Sequence, residues 1–451
     1  MIQRIRARKK DLQREARHTL RIGIPVIIAQ LLQMSMNFVD TVMAGNLSAQ
    51  TLAAVAVGGA MLMPFIMFSS GILSAITPIT AQLFGARESL EIGRNARQCL
   101  WLALILSVPT FFILRNLEPL MALMDISPDL IPTAGQYLDA ISWGLTPFFL
   151  YMALRFFNEG LSVTRPSMVI ALAGLLVNIP ANYILMYGKL GFPPLGAAGC
   201  GYATSIVGLV MVLLMALFTT SYRPFRRFEI FSHIRKPEWN YLKEILRIGV
   251  PIGVSTTMEV TMFAVVSLLM ASISTLAVAG HQVAINFAAI MFMVPLGLST
   301  AITTRVGNAV GEKSVGAVRI RGFVGVSLCA LFMICTATVM FLYPDLIVSI
   351  YTQDPAVKEV AVSLIYLAAV FQISDGLQVG GFGALRGLKD TKVPMYVNLV
   401  AYWIVGLPVG YYLGMIKGWG PEGLWYGLIA GLTITAVLHN SRFVLLTKQS
   451  N

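Results

Sequence analysis

The chain has 451 residues, 57% of them hydrophobic and 12% charged, with a formal net charge of +12. Soluble domains carry about 25% charged and 45–50% apolar residues, so this chain cannot clothe a water-facing surface, and a water-soluble fold is excluded. The positive charge does not point to nucleic acid, because the Lys and Arg residues sit between long apolar runs instead of lining one polar face.

The N-terminal stretch MIQRIRARKK leads into an apolar run starting at Ile22 and more than 20 residues long. That is too long for the core of a cleaved signal, so it reads as an uncleaved first span. A hydrocarbon core of ~30 Å takes about 20 apolar helical residues. Runs of that order lie near 22–44, 53–83, 99–114, 131–153, 167–187 and 196–219, then near 248–271, 277–304, 322–344, 360–383, 393–415 and 423–441. Alternation of period two is absent, which excludes a β-barrel pattern. Cys99, Cys200, Cys329 and Cys335 lie in or beside these runs without metal-ligand or CxxC spacing, and read as small buried residues.

Orientation follows from counting. With a cytoplasmic N-terminus, 29 of the 33 Lys and Arg residues fall in inner segments, and only Arg115, Lys189, Lys358 and Lys417 fall outside. This positive-inside bias supports twelve spans with both termini cytoplasmic, in a multi-pass inner-membrane protein.

The two halves repeat one pattern. LRIGIP at 20–25 returns as LRIGVP at 246–251, and Gly85 aligns with Gly311 at the same offset of 226. Pro166 and Pro180 match Pro394 and Pro408 at an offset of 228. The predicted fold is therefore all-α and integral to the membrane, with twelve transmembrane helices in two pseudo-symmetric six-helix lobes. Residues 1–220 form the first lobe, 221–243 a basic cytoplasmic linker and 244–451 the second lobe. Six spans per half give parallel repeats, an arrangement common in transporters that rock around a central cleft.

Three acids interrupt the apolar runs with no intramembrane Lys or Arg to pair with: Asp40, Glu259 and Asp375. Each costs ~2.5–3.5 kcal/mol at a bilayer centre, which is too much for packing glue. At 1.5 Å per residue, Glu259 lies about 18 Å and Asp375 about 16 Å from the cytoplasmic edge, so the two share a level. Asp40 lies about 28 Å in, near Asn182 at about 26 Å, while Asn178 at about 20 Å shares the Asn182 helix face. A carboxylate beside two amide carbonyls is a hard-oxygen set for a proton or Na⁺. Glu259 and Asp375 could share a Na⁺ ion or take a proton in turn. Asp139, near a helix end, and Glu159, paired with Arg155 in a loop, read as surface groups. His281 either lines a cleft or makes a structural hydrogen bond, and Gln282 beside it is a further cleft candidate. The Met and Phe residues suit lipophilic cations, although most must face lipid.

At this point the chain resembles the multidrug and toxic compound extrusion (MATE) family, in its NorM-like branch, over essentially its whole length. The resemblance rests on FVDTVMAG (38–45), GLLVNIPANYI (174–184), PLGAAGCGYAT (194–204), EVTMFAVV (259–266), VAGHQVAINF (278–287), FQISDGLQV (371–379) and LRGLKDTKVP (385–394). It implies a central cavity and a multidrug antiporter exporting lipophilic cationic compounds in exchange for inward Na⁺ or H⁺. It also implies that the chain is not an enzyme and uses no cofactor; the sequence gives no sign of oligomerisation, so a monomer in the bilayer is expected. The family's essential acids match Asp40, Glu259 and Asp375; Asn178, Asn182 and Thr204 match its first-lobe polar cluster. Relatives can carry Tyr near the second-lobe cation site where this chain has Phe371, which keeps the ring face and loses the hydroxyl. A lipid-precursor flippase would want deep basic residues, an intramembrane enzyme an HExxH pair or an intramembrane Ser–His or paired catalytic motif, and a channel a repeated filter loop. None of these stands out in the sequence.

Overall fold

A computed structural model describes residues 2–230 and 236–449; Met1, Ser450, Asn451 and the centre of the predicted linker, 231–235, lie outside the described residues. Among the described residues all regular structure is helical. The first six spans are α1 (Ile2–Leu47), α2 (Ala49–Ala86), α3 (Ser89–Leu114), α4 (Ile131–Ser142 with Leu145–Gly160), α5 (Arg165–Tyr187) and α6 (Gly196–Ser221). The second six are α7 (Trp239–Ile273), α8 (Thr275–Gly311), α9 (Val315–Leu342), α10 (Pro355–Gly387), α11 (Lys392–Ile416) and α12 (Gly420–Gln449). Eleven are each long and apolar enough to cross a membrane, and the two arms of α4, bent by 49°, make the twelfth.

The duplication is visible at the level of single caps. Ser48 and Ser274, related by the same offset as the two LRIG segments, begin α2 and α8, and each side chain accepts the N–H three positions on at 3.0 Å. Such a cap is worth about 1 kcal/mol by satisfying a donor that the first turn leaves unpaired. The short helices Glu118–Leu123 and Pro344–Ser349 repeat at the same interval.

Helix pairs close on small residues, as expected where lipid supplies no hydrophobic drive between helices. Gly410 and Gly414 of α11 face Gly427 and Gly423 of α12. A Cβ on Gly427 would sit 2.4 Å from the Gly410 Cα, and one on Gly423 2.4 Å from the Gly414 nitrogen. Only hydrogen fits there.

In space the chain forms two compact units. Unit 1 comprises Met1–Ile27, Phe84–Arg87 and Val254–Asn451, and unit 2 comprises Ile28–Leu83 and Glu88–Gly253. This grouping cuts across the sequence halves, because the start of α1 is tied into unit 1. Arg305 of α8 donates Nε and Nη2 to the two Glu15 oxygens at 2.6 and 2.5 Å, and Gly23 packs against Leu298. The core of unit 1 gathers Met262, Leu364, Phe371, Tyr402 and Trp425.

One sequence expectation is corrected here. Glu159 and Arg155 are not a surface pair in a loop: the second arm of α4 continues as helix to Gly160, and both side chains are buried, 0% and 2% exposed. Arg155 Nε donates to Glu159 Oε1 at 2.8 Å and Nη1 donates to Gln33 Oε1 at 3.0 Å. The bend in α4 displaces the span along the chain, which a straight apolar count from 131 misses. Asp139, by contrast, does reach the surface, 3.5 Å from Arg115.

Removing one partner of a buried pair strands a charge, at about 3–5 kcal/mol, whereas replacing both by apolar groups is often near neutral. Arg155→Met is therefore expected to lower the thermal midpoint sharply, and Arg155→Met/Glu159→Met to restore most of it. A double variant as unstable as the single one would contradict a pair held by mutual neutralisation.

Candidate cation-binding sites

In unit 2 three helices converge on one carboxylate. Asp40 stands on α1 with 9% exposure, and α5 brings Asn178 and Asn182, one turn apart, to the same oxygen. Asn178 Nδ2 donates to Asp40 Oδ1 at 2.9 Å and Asn182 Nδ2 donates to it at 2.5 Å. Pro180 lies between the two amides and removes one backbone donor from α5, loosening the helix there. The amide oxygens of Asn178 and Asn182 are buried and, among the described residues, have no hydrogen-bond partner. Thr204 on α6 is a further polar neighbour of Asp40, and its hydroxyl donates to the Cys200 carbonyl at 3.0 Å. Tyr137 of α4 and Cys200 are further electrostatic neighbours of Asp40.

Unit 1 holds a different set. Asp375 on α10 is 5% exposed and has Glu259 of α7, half-buried, as its electrostatic neighbour. Tyr402 of α11 is fully buried, with both carboxylates and Thr435 of α12 as its polar neighbours. It sits where α11 widens into π-helical turns over Leu399–Gly406, a distortion frequent at functional sites. Next to it, Trp403 Nε1 donates to the Met258 carbonyl at 3.3 Å, joining α11 to the turn that carries Glu259.

The weaker candidates separate. Phe371 is 2% exposed, its ring 6.0 Å from that of Phe263 and 5.5 Å from that of Trp425. His281 is buried, its Nε2 3.0 Å from the Ser267 hydroxyl and its ring 5.8 Å from Trp425. Gln282 is exposed on α8. Trp425 thus unites two of the three in the core of unit 1. Sequence reasoning missed Tyr402 and Tyr137. The signal for both was a phenol inside an apolar run, where the hydroxyl needs a polar partner.

The MatE family model matches this chain twice, over residues 25–184 and 251–412. The chain belongs to the MatE family. The multidrug resistance protein MdtK of Yersinia pseudotuberculosis is 43% identical over 440 residues, 96% of each chain. MdtK of Pectobacterium atrosepticum is 44% identical over the same shares. Among solved structures, a eukaryotic MATE transporter superposes with a TM-score of 0.89 at 20% identity, covering 97% of this chain and 98% of that one. An outward-facing multidrug resistance MATE transporter of the MOP superfamily also gives 0.89 at 20% identity, over 97% and 96%. The starts of the two MatE matches, at 25 and 251, are separated by the same interval that relates the two serine caps.

A charged acceptor strengthens a hydrogen bond, so the Asp40–Asn182 contact should exceed the ~0.6 kcal/mol average for polar pairs between membrane helices. A double-mutant cycle with Asp40→Asn and Asn182→Ala, read by unfolding in mixed micelles, is expected to give a coupling of about 1 kcal/mol or more. Additive effects would mean that the amide and the carboxylate act separately.

Proposed function

We propose that the protein is a multidrug efflux antiporter that exports lipophilic cationic compounds in exchange for inward Na⁺ or H⁺. As a MATE transporter it is a secondary transporter and not an enzyme, and it is a multi-pass protein of the inner membrane. The observation that carries the reading is the placement of Asp40, Glu259 and Asp375. Each lies inside its unit beside other polar oxygens, and none is ion-paired to a basic side chain among the described residues. A negative group kept in such surroundings favours a mobile positive partner. Inward Na⁺ or H⁺ would be held at Asp40 with Asn178 and Asn182, or at Glu259 and Asp375 with Tyr402.

In this reading drug and ion are drawn to the same carboxylates, so each lowers the other's affinity. The outward-open state releases drug and takes up the ion; the inward-open state releases the ion and takes up drug. The ion gradient drives export through the differential affinity of the two states for each ligand. Both termini are placed in the cytoplasm, the working unit is a monomer, and 1–220 and 244–451 are the duplicated lobes with 221–243 as linker. The MdtK relatives, named for multidrug resistance, support the drug assignment.

Reconstituted into liposomes with ethidium, the protein should move dye under an imposed Na⁺ or H⁺ gradient, tested one at a time. Asp375→Asn is expected to insert and fold normally yet lose coupled transport by at least about a hundredfold, the equivalent of ~2.7 kcal/mol. Undiminished gradient-driven dye movement by that variant would refute the role given to Asp375.

A further inference from the structure

Phe371, Asp375, Gln378 and Phe382 stand at i, i+4, i+7 and i+11 of α10 and so share one helix face. Ring contacts fix where that face points. Phe371 meets Phe263 of α7 at 6.0 Å and Trp425 of α12 at 5.5 Å, and Phe382 stacks on His439 of α12 at 5.6 Å. Gln378 therefore lies between Asp375 and Phe382 on the side turned to α7 and α12, and it is 1% exposed.

Two glutamines flank Asp375 at equal helical distance, Gln372 three residues before it and Gln378 three after. They are used differently. Thr336 of α9 donates its hydroxyl to Gln372 Oε1 at 2.7 Å, so that oxygen is spent on a helix contact. Gln378 Oε1 is buried and has no hydrogen-bond partner among the described residues; His439 Nδ1 lies 3.5 Å from the Gln378 backbone carbonyl instead. A buried acceptor without a partner costs free energy. Asp375 cannot relieve that cost, because an ionised carboxylate is itself only an acceptor. A cation between the two oxygens satisfies both at once, and the carboxylate charge favours it over a neutral ligand. Nor does the duplicated scaffold require an amide here: at the repeat offsets of 226 and 228, Gln378 corresponds to Met152 and Leu150.

We propose that the Gln378 side-chain oxygen is a ligand for Na⁺ at Asp375, joining Glu259 and the Tyr402 phenol in unit 1. The inference rests on the antiport reading and adds to it a residue that decides ion choice. A proton needs a single carboxylate oxygen, whereas a metal cation is selected by the number and strength of the oxygens around it.

The test is isothermal titration calorimetry of Na⁺ into the purified full chain at fixed pH and ionic strength, in an Asp40→Asn background that silences the other carboxylate site. Gln378→Met, close in volume but without the oxygen, is expected to weaken Na⁺ binding by about tenfold or more. Gln378→Glu, which keeps an oxygen there and adds charge, should bind Na⁺ at least as tightly as the background. Gln372→Met should keep the background affinity, because its oxygen is already engaged. A structural role for buried amides would instead weaken both methionine variants alike. Unchanged affinity in Gln378→Met, equal losses in the two methionine variants, weaker binding in Gln378→Glu, or no Na⁺ binding by the background would each overturn the proposal. Calorimetry reads the ion alone, so the expected pattern in a protein that moves no ethidium would uphold the ligand and refute antiport.

Discussion

The structure turns on the cost of holding a carboxylate among hydrocarbon-facing helices. An acid at the centre of a bilayer is expensive enough that three of them would consume a stability comparable to that of a whole domain. The fold answers by surrounding each with polar groups from several helices. Asp40 receives two amide donors from α5, and Asp375 meets Glu259 and Tyr402. The rest of the framework keeps those groups at the right height: the capped starts of α2 and α8, the glycine contact of α11 with α12, and the internal neutralisation of Arg155 by Glu159.

The duplicated scaffold has not kept duplicated chemistry. At the repeat offset Glu259 corresponds to Gln33, which accepts a hydrogen bond from the buried Arg155. Asp40 corresponds to Val266, in the apolar core of unit 1. One unit pairs a carboxylate with amides and the other pairs two carboxylates with a phenol.

Much of this was legible in the sequence, for physical reasons. Span number followed from hydropathy and from the alternation of basic segments, both of which reflect the bilayer directly. The meeting of Asp40 with Asn182 followed from depth counting along straight helices, and the contact between them has that geometry. The burial of Arg155 with Glu159 was hidden because the bend in α4 shifts a span, and a linear count assumes none. Tyr402 was hidden because its neighbours come from α7, α10 and α12, three helices that are not consecutive in the chain, and because a π-helical stretch sets its direction. Thr204, by contrast, was reached only through the family resemblance, as its segment has no pattern that marks it.

The claim at the centre is that a travelling cation and a cationic drug compete for the same buried carboxylates. Equilibrium binding of ethidium to the purified protein, followed by fluorescence polarisation across a range of Na⁺ concentrations and pH, tests it most directly. The account predicts that dye affinity falls as either Na⁺ or H⁺ rises, and that the dependence disappears when Asp40, Glu259 and Asp375 are all replaced by their amides. Dye affinity that ignores both ions in the unaltered protein would contradict it.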